Sequence, residues 1–160
     1  MELIEGVLFE VRRSNPEHAF VLANLIGLIE SQVQKRELGR AYAGGVLALL
    51  RRNPDNASGP GLAVVAANRL PLEQSAFMKT PPDWAIEVVS PGNTRREIER
   101  KTSMYLAHGV KAVWIVYPDR RQVVVHAPDN DPLVFGDNAA ITGIEPFPGV
   151  SVEVRENFGD

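Results

Sequence analysis

Pro82-Asp83-Trp84-Ala85-Ile86-Glu87-Val88-Val89-Ser90-Pro91 sets a carboxylate inside an apolar run. Trp84-Ala85-Ile86 and Val88-Val89 are apolar at consecutive positions, the pattern of a strand covered on both faces, and Ser90-Pro91-Gly92 closes it. In such a strand a lone carboxylate costs several kcal/mol unless it is paired or holds a metal. The bland alternative is a strand end where Glu87 is solvated or bonded to backbone. Glu87 is the first residue that needs explaining.

Working outward, Thr94-Arg95-Arg96-Glu97 has the spacing of a capping box and Gly109 ends the helix it starts. Ile98, Lys101 and Tyr105 share one face of that helix, so Lys101 is directed towards the sheet. Its bland reading is a snorkelling stem or a surface pair with Glu97. A carboxylate ending one strand and a lysine on the next helix make an active-site pair. The carboxylate can hold Mg²⁺, and the lysine can stabilise or deprotonate an attacking water near a phosphate.

The remaining elements follow from pattern. Leu3-Ile4 and Val7 to Val11 flank Glu5-Gly6 as a small hairpin. Ser14-Asn15-Pro16-Glu17 starts a long amphipathic helix carrying Leu22, Leu25, Ile26, Ile29 and Val33, with Gly39 as terminator. Arg40 to Leu50 reads as one strand with a bulge at Gly44-Gly45, and Arg51 to Pro60 as a loop. Strands follow at Leu62 to Ala66, Trp84 to Val89, Lys111 to Val116 and Gln122 to His126, with an irregular stretch from Asn68 to Pro82. Two short strands, around Leu133 to Phe135 and Val150 to Val154, end the chain. The expected class is α/β (α+β), a mixed β-sheet flanked by helices, in one domain.

Composition bounds the chemistry. A chain of 160 residues, 44% hydrophobic and 23% charged, suits one globular domain. The absence of cysteine excludes disulfides, thiolate nucleophiles and Cys-ligated metal. A net charge of −3 makes no global case for nucleic acid, though it leaves room for a local basic groove. Arg95, Arg96 and Arg100 are phosphate-contact candidates on the second helix, where a solvated face is the bland reading. The run from Ala19 to Ile29 falls short of the ~20 residues of a membrane span, and Met1 to Glu5 has no basic n-region, so no membrane partner and a cytoplasmic location are expected. His18, His108 and His126 lack metal-ligand spacing and read as structural.

The segment 82–91 resembles the signature of the Uma-two family of restriction-endonuclease-like proteins. Arg100-Lys101, Tyr105, Gly109-Val110, Val113-Trp114-Ile115-Val116 and Pro118 continue it in order. Glu2-Leu3-Ile4-Glu5-Gly6, His18 and Pro146-Phe147-Pro148-Gly149-Val150 extend the resemblance over almost the whole chain. It implies the PD-(D/E)XK nuclease fold, Mg²⁺- or Mn²⁺-dependent hydrolysis of DNA phosphodiesters, and a homodimer. Carried across, Glu87 is the metal-binding and catalytic carboxylate and Lys101 the catalytic lysine, moved from the strand to the following helix. Glu2 is an additional acidic member.

One departure stands out. The family's metal-binding Asp follows a Pro and precedes a short apolar strand; here that place reads Pro60-Gly61-Leu62-Ala63-Val64-Val65, so Gly61 stands where the carboxylate would be. Asp83 lies about 13 Å from Glu87 along one strand, too far to share an ion, and reads as a tether of the strand entry. Asp55, after Pro54, would have to fold back. Three readings follow: an active Mg²⁺-dependent endonuclease, a degenerate nuclease fold that binds without cutting, or an interaction module in which Glu87 and Lys101 are an ion pair. An acidic group within about 3 Å of Glu87 would favour the first, and a closed Glu87–Lys101 contact without room for a phosphate the third.

Overall fold

The computed structural model describes residues 1–10 and 14–160. Val11, placed in the second strand by its sequence, lies outside them. The strands are β1 (Glu2–Ile4), β2 (Val7–Phe9), β3 (Gly39–Ala43), β4 (Ala48–Arg51), β5 (Asn56–Ser58) and β6 (Leu62–Ala66). They continue with β7 (Trp84–Val88), β8 (Ala112–Tyr117), β9 (Gln122–His126), β10 (Leu133–Phe135), β11 (Ala140–Ile141) and β12 (Val152–Glu153). The helices are α1 (Pro16–Ile29), extended by a π-helical turn over Glu30–Gln34, and α2 (Arg95–Ala107).

Six strands form the main sheet in the order β10-β9-β8-β7-β6-β3. Among the described strands of this sheet only β7 and β8 run parallel, in register from Trp84 opposite Ala112 to Val88 opposite Val116. Parallel neighbours need a crossover, and α2 supplies it. Glu87 and Lys101 thus belong to one strand–helix–strand unit. A smaller antiparallel sheet, β2-β1-β5-β4, and the ribbon β11–β12 complete the fold.

Alternation along the central strands splits the core in two. Leu62, Val64, Trp84, Ile86, Val88, Trp114 and Val116 face Val21, Leu25, Ile29 and Val33 of α1 and its π-helical extension. Ala63, Val65, Ala85, Val113 and Ile115 face Met104 and Tyr105 of α2 and Ile4, Ala48 and Leu50 of the small sheet. Trp84 and Trp114 are fully buried and meet edge to face at 4.6 Å. Glu87 has the parity of Ala85, so it falls on the face shared by α2 and the small sheet.

Three sequence expectations are corrected. The segment from Arg40 to Leu50 is two strands in different sheets, because Gly44 and Gly45 both take positive φ (85° and 70°) and turn the chain rather than bulge it. The segment from Arg51 to Pro60 contains β5, which pairs with β1 and β4. Gly39 opens β3 instead of ending α1; a Cβ there would stand 2.4 Å from the Val65 carbonyl oxygen, so close strand approach is what requires glycine. The capping box on α2 is formed as expected, and Asn15 caps α1 by accepting the His18 N–H at 2.8 Å.

Candidate active site

β7 delivers Glu87 one residue before the strand ends, and α2 returns Lys101 over the same face. The Lys101 Nζ lies 2.7 Å from Glu87 Oε1 and 2.9 Å from Glu2 Oε1. The Tyr105 hydroxyl donates to Glu87 Oε1 at 2.9 Å, and the Ser58 hydroxyl donates to Glu2 Oε1 at 2.6 Å. Ser58 Oγ and the Tyr105 hydroxyl are themselves 2.9 Å apart. Glu2, Lys101, Glu87, Tyr105 and Ser58 therefore close a ring built by β1, α2, β7 and β5.

Burial sets the electrostatics of this ring. Ser58 and Tyr105 are inaccessible and Glu2 nearly so, while the Glu87 and Lys101 side chains keep about a fifth of their surface. Burial alone would lower the Lys101 ammonium, but the Glu87 and Glu2 carboxylates outweigh it and hold its pKa above the ordinary lysine value. Lys101 stays a cation. Burial, reinforced by Glu87, pushes the Tyr105 hydroxyl well above the ordinary phenol value, so it remains a neutral donor.

A cavity of about 30 Å³ opens at the ion pair, lined by Glu87, Val88, Val89, Asn93, Glu97, Ile98, Lys101 and Ile115. It has room for water, not for a phosphate group. The direct contact therefore meets part of what a purely structural pair requires. Beside it lies a groove of about 730 Å³ between α2 and β8–β10 that shares Val89, Asn93 and Ile98 with the cavity. A phosphate reaching Lys101 would come from that side.

The other candidates are placed as follows. Glu2 joins the site through Lys101. Asp83 does not: its carboxylate accepts the Ala66 N–H at 2.8 Å and pairs with Arg69 at 3.0 Å, tethering the start of β7 to the end of β6. Asp55 sits in the β4–β5 turn, where it accepts the Asn53 N–H. Arg95 pairs with Glu99 at 2.6 Å, Arg100 stacks 4.7 Å over the Phe9 ring, and Arg96 is exposed. Among the described residues Glu87 is paired with Lys101 and not with these arginines. Arg121, similarly, is held by Asp137 and Asp160. The expected basic concentration is thus largely spent on local partners.

Gly61 immediately precedes β6 and, by the β6–β7 register, comes opposite Glu87. A Cβ there would stand 3.3 Å from the Ile86 carbonyl oxygen and 3.5 Å from Leu22 Cδ1. Sequence reasoning missed Ser58, which lay in an expected loop. Burial lowers the pKa of His18 below the ordinary imidazole value, partly offset by the Glu87 carboxylate and the Val88 carbonyl. In the sequence His18 stands at the start of the first helix and is one of the residues that extend the family resemblance.

The Uma2 family model, described as "Putative restriction endonuclease", matches residues 1–155. The chain belongs to the Uma2 family. It is also similar to the crystal structure of "a putative nuclease belonging to DUF820" from Anabaena variabilis ATCC 29413. The TM-score is 0.86 at 23% identity, over 98% of this chain and 88% of that one, a likeness of fold. A search of curated proteins finds no match. The Uma2 assignment and the mixed sheet with its flanking helices agree with the nuclease fold expected from segment 82–91.

Among the described residues no three His, Asp or Glu side chains converge on one point. The donor set that could serve a divalent cation is the Glu87 carboxylate, with Glu2 turned onto Lys101 and Ser58. Mg²⁺ is commonly bound by one or two carboxylates completed by water and substrate oxygens. Glu87 fits as one such ligand; Gly61 contributes none.

Proposed function

We propose that this Uma2 protein is a metal-dependent DNA endonuclease whose ion site has lost one protein ligand. The observation that carries the reading is the Lys101–Glu87 contact of 2.7 Å at the end of β7. It joins a candidate metal carboxylate to a persistent cation beside a groove. A divalent ion at Glu87 would supply Lewis-acid activation of the phosphodiester and of the attacking water.

The chain's own groups then take distinct parts. Lys101, being protonated, does not take a proton from water; it offers positive charge to a phosphate oxygen as negative charge develops there. Tyr105 fixes Glu87 through Oε1. Glu2 and Ser58 hold the ammonium and the phenol in place from the small sheet, so the lysine has little rotamer freedom left to lose. The groove along α2 supplies the space that the cavity lacks.

A second reading is favoured by Gly61: the fold persists and binds without cutting. Cleavage of supercoiled plasmid with Mg²⁺ and with Mn²⁺, alongside Glu87→Ala and Lys101→Ala, separates the two. The endonuclease reading expects nicking by the wild type that both substitutions abolish. Absence of cutting by folded wild-type protein in either metal supports the second reading.

A further inference from the structure

In the closed ring Lys101 is not yet placed to meet a phosphate. It lines the small cavity beside Glu87 but not the groove of about 730 Å³ from which a phosphate would come. The cavity, at about 30 Å³, has no room for that group. The ammonium must therefore extend towards Val89, Asn93 and Ile98, where cavity and groove meet, before it can touch one. Glu2 holds it from behind, 2.9 Å from Nζ, and lines neither space.

Glu2 cannot follow the lysine outwards. Its strand β1 is pinned by the pairing of Leu3 with Ala57. The turn beyond is pinned by the Glu5 N–H on Asn56 Oδ1 and by Arg51 on the Glu5 carboxylate, each at 2.6 Å. The Glu2 carboxylate is kept by the Ser58 hydroxyl at 2.6 Å, and Ser58 is itself 2.9 Å from the Tyr105 hydroxyl. Among the described residues Ser58 and Lys101 are the partners of this carboxylate, both on Oε1. Once Lys101 turns to the groove, Glu2 is a carboxylate in a residue only 8% exposed, left with one neutral hydroxyl. A buried charge that loses its counter-charge is strongly destabilising, and that cost holds the ring shut. Glu87 differs, because it lines the cavity and Lys101 can keep it while turning outwards.

We propose that Glu2 is an autoinhibitory latch on Lys101, and that a substrate phosphate must take its place on the ammonium before the site can act. Lys101 keeps Glu87 and exchanges one oxyanion for another, which its three N–H donors allow. The exchange rests on the reading of Lys101 as the cation for the phosphate. It gives Glu2 a role opposite to that of the acidic site member the resemblance implies: its carboxylate restrains the site.

The test is DNA binding in chelator, so that no bound ion enters the readout. A short fluorescein-labelled DNA duplex is titrated with full-length wild type, Glu2→Gln, Lys101→Met and the double variant. Fluorescence anisotropy reports binding and circular dichroism checks folding. Glu73→Gln, which removes a surface carboxylate paired with Lys79, controls for net charge. Glu2→Gln should bind roughly tenfold more tightly than wild type. Glu73→Gln should not, and Glu2→Gln should add nothing in the Lys101→Met background. Glu2→Asp keeps the charge but shortens its reach, so it should show a smaller gain, and it decides the matter where Glu2→Gln does not fold. Unchanged or weaker binding by the Glu2 variants, with loss in Lys101→Met, overturns the latch and leaves Lys101 as the cation. A gain that persists in Lys101→Met, or is matched by Glu73→Gln, makes Glu2 a general repulsive charge and also overturns the latch. Binding indifferent to Lys101→Met, or no binding by wild type and Glu2→Gln, overturns the latch and the reading of Lys101 together.

Discussion

Lys101 Nζ and Glu87 Oε1 are 2.7 Å apart, and the same oxygen takes the Tyr105 hydroxyl at 2.9 Å. One ammonium therefore compensates two carboxylates, because Glu2 meets it from the other side at 2.9 Å. Lys101→Met removes that charge and leaves Glu2 and Glu87 facing each other without a cation. The expected loss is about 3 kcal/mol in urea unfolding near neutral pH. Adding Glu2→Gln and Glu87→Gln in the Lys101→Met background should recover much of it without restoring any cleavage.

Tyr105→Phe probes the neutral half of the ring. It deletes the hydroxyl between Ser58 and Glu87 while keeping the aromatic body in the core. The loss should be about 1–2 kcal/mol, read by thermal or urea unfolding. Ser58 retains its bond to Glu2 and Lys101 its bond to Glu87, so cleavage should fall less than in Lys101→Ala.

What could be read beforehand follows from what each residue disturbs. Glu87 and Lys101 stood out because each breaks an apolar pattern whose period is set locally, by strand alternation and by the helical turn. The Asp83 tether was legible for a related reason: four residues of extended chain separate it from Glu87. β5 and Ser58 were hidden. Asn56-Ala57-Ser58 has no apolar alternation, and its strand character comes from pairing with β1 and β4, far away in sequence. The split of the segment from Arg40 to Leu50 between two sheets depends on the same long-range pairing.

Asp83 gives a contrast with Glu87. Its carboxylate is almost fully buried and serves the Ala66 N–H and the Arg69 guanidinium. Asp83→Asn weakens both interactions, and the expected cost is about 2–3 kcal/mol in unfolding experiments. Cleavage per folded molecule should be unchanged. An Asp83→Asn protein that is fully stable but cannot cut would instead place Asp83 in the site.

Acid should destabilise the fold through two histidines. Burial holds His18 and His126 below the ordinary imidazole value of 6.5, for His18 against the opposing pull of Glu87. Just below that value the unfolded chain binds protons that the native chain does not, so stability falls as pH drops and is flat above it for these groups. Urea midpoints at about pH 5.5 and 7.5 should differ, and His18→Gln with His126→Gln should shrink the difference. An undiminished difference in the double variant would assign the acid sensitivity to other groups.

Gly61→Asp asks whether one missing carboxylate limits the site. Gly61 does not adopt positive φ, so its backbone accepts an L side chain. The obstacle is the Ile86 carbonyl oxygen, 3.3 Å from the new Cβ, which must give by a few tenths of an ångström. That adjustment should cost about 1 kcal/mol in metal-free protein. By the register of β6 and β7 the new carboxylate stands across from Glu87, so like-charge repulsion adds to the cost until a cation is bound. The expected signature is a lowered melting temperature in chelator that rises with added Mg²⁺ by more than the wild type's does, together with faster plasmid nicking. A variant that melts lower in chelator and gains nothing from Mg²⁺ would show that the closed Lys101 ring, rather than Gly61, is what keeps the ion out.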